Sequence, residues 1–397
     1  MEYSRKAMNI TPSITLAITA KAKELKAQGV DVVSFGAGEP DFNTPKNIMD
    51  AAIKSMEEGK TKYTPTSGIL ELREAICRKF DEENNLCYKP DQIIVSTGAK
   101  QCLADVFMAI LNPYDEVIVP IPYWVSYPEL IKLADGVPVF VEGKKENDYK
   151  YTLESLNNVV SDKTKAIIIN SPNNPTGTIY SKEELMEIAN FAKENDLIII
   201  SDEIYEKLIY DGKKHVSIAS LSEDAYNRTV VINGFSKSYA MTGWRLGYAA
   251  GSREIIKLMS SVQSHVTSNP NSIAQYAGVE ALNGPKDDII SMIGKFEERR
   301  NLMIERINQL KDVSIIKPQG AFYVMVNLEK YLGMSINSRV IKNSVDFSNE
   351  LLEEEKVAVI PGSAFGLDNY IRLSYATSEE LILKGLDRIE RFLSKLS

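Results

Sequence analysis

Histidine is nearly missing from this chain: His215 and His265 are the only two in 397 residues. Cysteine is almost as scarce, and its three copies, Cys77, Cys87 and Cys102, form no CxxC spacing. HExxH does not occur. These shortages weigh against a Cys–His nucleophile and against a His- or Cys-ligated metal, because each needs such residues clustered at defined spacings. Both histidines read as structural or surface residues, and no metal is expected. An odd number of scattered thiols in a long chain fits a reducing compartment, so a cytoplasmic protein is expected.

Long apolar runs are lacking too. The opening residues, MEYSRKAMNI, contain no apolar core of signal-peptide length. Nowhere do about eighteen apolar residues run together, as a membrane-spanning helix requires. Basic residues are outnumbered, with 46 Lys and Arg against 54 Asp and Glu and a net charge of −8. A nucleic-acid or anionic-membrane surface needs the opposite excess, so neither partner is expected.

What remains is an ordinary globular composition, 44% hydrophobic and 25% charged. A chain of 397 residues is too long for one ordinary core, so two domains are expected. Residues 1–12 read as an irregular arm. Thr11-Pro12 reads as N-cap and first residue of a helix that stops at Gly29. A strand at 32–35 leads into the loop GAGEPDF, 36–42. Asn43-Thr44-Pro45 reads as the cap of a helix over 46–58, and a second amphipathic helix runs over LELREAICRKFDEEN. From 92 to 236 strands and helices alternate. The apolar runs Ile93–Val95, Ala166–Ile169, Leu197–Ile200 and Thr229–Ile232 suit parallel strands covered on both faces.

Each of those strands delivers a polar cluster at its carboxyl end: Ser-Thr-Gly-Ala-Lys at 96–100, SPNNPTG at 171–177, SDEIYE at 201–206, and the loop carrying Ser236 and Lys237. Ligands of open α/β sheets bind beyond that edge, so the clusters point to one shared site. Small residues where the strand meets the helix at 98–100 leave a helix N-terminus open to phosphate. Lysine forms a Schiff base with an aldehyde, and arginine, here Arg245, binds phosphate through a planar fork. After Gly251 the pattern becomes helical. Asn283-Gly284-Pro285 reads as a boundary, followed by a smaller α+β unit with a helix at 286–311 and strands near 321–327, 356–360 and 370–374.

The motifs GAGEPDF, YTPTSG (63–68), STGAK, PYWVSYP (122–128), SPNNPTG, SDEIYE, SKSYAMTGWRLGY (236–248) and RLSYA (372–376) occur in one order along nearly the whole chain. Together they resemble the class I aminotransferases that use pyridoxal 5′-phosphate (PLP), and among them the bacterial aspartate aminotransferases that carry lysine in the Gly-Ala-Lys turn. The resemblance implies an α/β protein of the PLP-transferase fold type I. It would have an arm at 1–12, a large PLP-binding domain at 45–284 with a mostly parallel sheet, and a small domain from 13–44 with 285–397.

The resemblance also implies roles. Lys237 carries PLP as a Schiff base and, once released, shuttles the proton between substrate Cα and the cofactor. Asp202 pairs with the pyridine nitrogen, Tyr205 and Asn174 hydrogen-bond the ring oxygen, and Trp124 stacks on the ring. Gly98, Ala99, Lys100, Ser236 and Arg245 hold the phosphate, joined by Tyr63 of the neighbouring subunit in a homodimer with shared sites. Arg372 clamps the substrate α-carboxylate beside Gly38, Asn174 and Trp124, and Lys100 meets the distal carboxylate. The bond Asn174–Pro175 is expected to be cis. The reaction implied is ping-pong transfer of the amino group from L-aspartate to 2-oxoglutarate, giving oxaloacetate and L-glutamate. An aromatic- or alanine-type aminotransferase and a PLP carbon–sulfur lyase on the same fold are the alternatives.

Overall fold

The β-branched runs between the helices come together in one seven-stranded sheet of the computed structural model, which describes residues 2–397. Across the sheet the strands are Ile93–Ser96, Gly247–Ala250, Thr229–Gly234, Ile198–Asp202, Thr164–Asn170, Glu116–Ile121 and Val137–Glu142. Gly247–Ala250 is antiparallel to both its neighbours, and the remaining pairs are parallel. Side chains alternate between the faces, as the two-residue period of a strand requires. Ile168, Ile200, Val230 and Ile232 pack on one face with Leu103, Val106 and Met259. Ile167, Ile169 and Ile199 pack on the other with Leu185, Ile188 and Phe191. Burying such a side chain contributes about 1.5–3 kcal/mol, which is why these runs lie in the middle of the sheet.

The antiparallel strand is not foreseen by the sequence, where Gly247 and Tyr248 only close the motif SKSYAMTGWRLGY. Gly-Tyr-Ala-Ala is short and carries a single large side chain, so no alternation announces it. Its glycine has a packing reason, because a Cβ on Gly247 would collide with the backbone of Gly98 and Ala99.

The C-terminal part builds a second, antiparallel sheet in the order Ile360–Pro361, Tyr370–Ser374, Tyr323–Asn327, Ser314–Ile315. It packs with helices Asp287–Ile307, Ser344–Glu355 and Glu379–Lys395 around Phe296, Phe322, Phe347 and Phe392. The N-terminal segment joins this part: Val33–Ser34 pairs in parallel with Val357–Ala358.

Three local readings are corrected. The arm is not wholly irregular, since Arg5–Met8 forms a helical turn and Lys6 bonds to Asp135 at 2.7 Å. The next helix, Ile14–Ala27, is capped by Ser13, whose hydroxyl accepts from Leu16 N–H; Thr11 instead donates its own N–H to Glu129. Such a cap is worth about 1 kcal/mol. Helix Lys46–Glu57 has no side-chain cap at all. Thr44 is drawn away to the lysine loop, donating to the Ala240 carbonyl at 2.7 Å and accepting from the Trp244 indole at 2.9 Å.

Candidate active site

The carboxyl ends of the parallel strands open into a cavity of about 400 Å³. Ile93–Ser96 leads to Ala99 and Lys100, Glu116–Ile121 to Trp124, and Thr164–Asn170 to Asn174. Ile198–Asp202 ends on Asp202 and leads to Tyr205, and Thr229–Gly234 leads to Ser236 and Lys237. The second sheet contributes Arg372, and the loop after Val33–Ser34 contributes Gly38. Arg245 completes the wall, with its guanidinium against Gly98. Of the residues expected at the site, Tyr63 alone lies apart, 91% exposed on the surface.

Lys237 lies on the cavity floor, with Nζ donating to the Gly38 carbonyl at 2.5 Å. Enclosure by protein pushes its pKa down to about 8; Glu39 opposes this, Arg245 and Arg372 reinforce it, and Asp202 opposes it. Near pH 7 roughly one such amine in ten is neutral, against about one in several thousand for a solvated lysine. The cavity therefore makes a usable base and nucleophile of a group that water would keep protonated.

Asp202 is buried. Its carboxylate accepts from the Tyr127 hydroxyl at 2.6 Å and from Ile204 N–H at 3.2 Å, while Asn170 holds its backbone carbonyl at 3.0 Å. Burial pushes its pKa up to about 6, and the two hydrogen bonds hold it back. It stays largely ionised at neutral pH, a fixed negative charge facing the cavity. Tyr205 meets Tyr323 hydroxyl to hydroxyl at 3.0 Å, and burial raises the Tyr205 phenol well above its usual value, so it remains a neutral hydrogen-bonding group. Asn174 N–H donates to Asn170 Oδ1 at 2.8 Å, and the Asn174–Pro175 bond is cis, as are Ile121–Pro122 and Ser171–Pro172.

At the end of the cavity beside Arg245, Gly98 caps helix Ala99–Ile110 with no side chain of its own. The first N–H groups of a helix have no intrahelical acceptor and carry the positive end of its dipole. Gly98 has φ +85°, and a Cβ there would stand 2.5 Å from an Arg245 Nη atom, so glycine is what admits the arginine. Arg245 itself sits in the left-handed region, φ 53°, with Nη1 donating to the Thr242 carbonyl at 2.9 Å.

Arg372 is 3% exposed, with Nη1 donating to Asn174 Oδ1 at 3.0 Å. Its guanidinium lies over the rings of Tyr323 and Phe365, at 4.2 and 4.9 Å, and its buried Nε has no partner. Burial pushes its pKa down. Lys100 stands over the Trp124 ring at 4.9 Å, and burial together with Arg245 pushes its pKa down as well. Among the described residues, none of Arg372, Arg245, Lys237 and Lys100 forms a salt bridge with a carboxylate.

Several lining residues were not expected from the sequence. Tyr127 lies within PYWVSYP, one helical turn beyond Trp124, and that spacing is the signal that could have found it. Tyr323 sits on a strand whose pairing with Arg372's strand no local pattern reveals. Thr15, Thr19 and Lys23 reach the cavity from helix Ile14–Ala27, whose sequence reads as an ordinary surface helix.

A mostly parallel sheet whose carboxyl edge gathers a partly neutral lysine and a group of unpaired cations defines an α/β protein with a cavity for an anionic, carbonyl-bearing ligand. The comparisons make this specific. The family model for aminotransferase class I and II matches residues 30–389. The chain is 54% identical to the aspartate aminotransferase of Bacillus subtilis (strain 168), over all of both proteins. The solved aspartate aminotransferase of Rhizobium meliloti superposes with a TM-score of 0.95 at 42% identity, covering all of both chains. The Thermus thermophilus enzyme solved with maleate gives 0.93 at 44%, covering 98% of this chain and 99% of that one. The chain belongs to the class I and II aminotransferases, a family that works with PLP.

Proposed function

We propose that this enzyme holds PLP in the cavity and transfers the amino group of L-aspartate to 2-oxoglutarate, forming oxaloacetate and L-glutamate in a ping-pong cycle. The observation that carries the proposal is the set of cavity cations without carboxylate partners. A buried arginine with no counter-ion is costly unless an anion arrives, and this cavity has cations for several. The structural neighbour solved with maleate, a dicarboxylate, supports a doubly charged substrate.

The residues fit PLP. Arg245, the open N–H groups of Ala99 and Lys100 beside Gly98, and buried Ser236 suit its phosphate. Asp202 suits its ring nitrogen, and Tyr205 with Asn174 suits its ring oxygen. Trp124 supplies an aromatic face, and Lys237 the amine for its aldehyde. When bound, PLP supplies an electron sink for the pair left on substrate Cα as its proton departs. Asp202 keeps a negative charge in place, and Lys237, as a free amine, takes the Cα proton. Arg372 holds the α-carboxylate, with Asn174, Gly38 and Trp124 beside it, and Lys100 receives the distal carboxylate at the helix N-terminus.

The working unit in this proposal is a homodimer, with Tyr63 reaching the phosphate of the neighbouring site. The chain divides into the arm 1–12, a small domain of 13–44 with 285–397, and the large domain 45–284. No described helix is long and apolar enough to cross a membrane, and a cytoplasmic location fits the scattered thiols. A panel of amino donors against 2-oxoglutarate tests the reading. Aspartate should lead; a preference for aromatic donors or alanine would replace it.

A further inference from the structure

We propose that Glu39 is a positioning residue for Lys237, a carboxylate held at the cavity mouth by Thr242 that counters the cations gathered around the lysine. Two features of the loop bring it there. Gly38, whose carbonyl accepts from Lys237 Nζ at 2.5 Å, is its chain neighbour. Thr242, five residues beyond the lysine, donates its hydroxyl to Glu39 Oε2 at 2.8 Å. The carbonyl of the same Thr242 accepts from Arg245 at 2.9 Å, so one residue fixes a carboxylate and a guanidinium relative to the lysine. The other end of the loop is anchored as well: Asp41 accepts from Arg299 at 2.8 Å, and Phe42 packs edge-on against Phe296 at 5.3 Å.

The charge balance shows why such a group is useful. The cavity wall carries five cations, Lys23, Lys100, Lys237, Arg245 and Arg372, and two carboxylates, Asp202 and Glu39. Asp202 is already committed to Tyr127 and the Ile204 N–H. Burial and the two arginines all disfavour a proton on Lys237, and Glu39 is the larger of the two carboxylate influences in the other direction. A base that must both take and return a proton works best with a pKa near the operating pH. Without Glu39 the amine would be pushed further down, more often free but a weaker base.

Glu39→Gln isolates the charge, because the amide oxygen can still accept the Thr242 hydroxyl. The proposal leans on the aminotransferase reading only for its catalytic meaning, so the test is made on cofactor-free protein. Lys237 is titrated by its rate of modification with an amine-directed acylating reagent across pH, the site being located by peptide mass. In Glu39→Gln the apparent pKa should fall by about half a unit to one unit, raising the neutral fraction at pH 7, and with it the reactivity, roughly 2.5- to 5.5-fold. The difference should shrink in high salt, since Glu39 is exposed. In the PLP-loaded protein the pH dependence of cofactor absorbance should move the same way. An apparent Lys237 pKa in Glu39→Gln that matches or exceeds the wild-type value would overturn the proposal. If Lys237 shifts as expected while no amino donor is transaminated, the functional reading fails and the role of Glu39 stands.

Discussion

Arg372 donates one guanidinium nitrogen to Oδ1 of Asn174 at 3.0 Å, across the junction between the two sheets, and leaves its buried Nε unmatched. The asparagine amide orients the fork without neutralising it, so the charge stays available to a carboxylate. Arg372→Lys keeps a cation but loses the planar pair of donors. Hydrogen bonds to charged groups are worth about 1.5–3 kcal/mol, so kcat/KM should fall roughly ten- to hundredfold for every amino donor alike. Steady-state kinetics with one acidic and one apolar donor checks this.

Lys100 should behave differently. It stands at the N-terminus of a helix and over the Trp124 ring, where in the proposed function a distal carboxylate would meet both the ammonium and the helix dipole. Lys100→Ala should weaken kcat/KM for aspartate and glutamate by about 1.5–3 kcal/mol and leave an apolar donor much less affected. Equal losses for both classes would assign Lys100 to the cofactor phosphate.

Tyr127 tests the role of Asp202. Its hydroxyl, 2.6 Å from the carboxylate, holds the Asp202 pKa down against burial, at about 6. In Tyr127→Phe that donor is gone, so the pKa rises toward neutrality and the carboxylate loses charge as pH falls. Activity of the variant should therefore drop more steeply than wild type below about pH 7 and recover toward about pH 8. A pH–rate profile parallel to wild type would show that Tyr127 only fills space.

Most of this arrangement is legible in the sequence. The runs Ala166–Ile169 and Thr229–Ile232 are apolar because both sheet faces are covered, and that feature is local enough to see in sequence. Asp202 and Lys237 follow directly from where the runs Leu197–Ile200 and Thr229–Ile232 end. Tyr323, Thr15 and Lys23 could not be found that way, since they reach the cavity from the other sheet and from the N-terminal helix through long-range packing. Thr44 shows the same limit on a smaller scale: its sequence reads as a helix cap, yet a partner 200 residues away, Trp244, donates to its hydroxyl.

Tyr63 is 91% exposed on a single chain, far more than an aromatic ring at a working site would be. In the proposed homodimer a second copy would cover it. Sedimentation should show a dimer, and Tyr63→Phe should loosen PLP binding measurably without changing that state. A monomer with full activity would contradict the placement of Tyr63.

The central claim is that Lys237 and the cations around it drive transamination. Purified enzyme loaded with PLP and given L-aspartate alone tests it most directly. One equivalent of oxaloacetate per subunit should appear, with conversion of the cofactor to its aminated form followed by absorbance, and the reaction should then stop until 2-oxoglutarate is added. Lys237→Ala should give neither product nor conversion, even where Arg245 still retains the cofactor. Continuous turnover of an amino acid with no oxo acid present would contradict the account and point to a lyase.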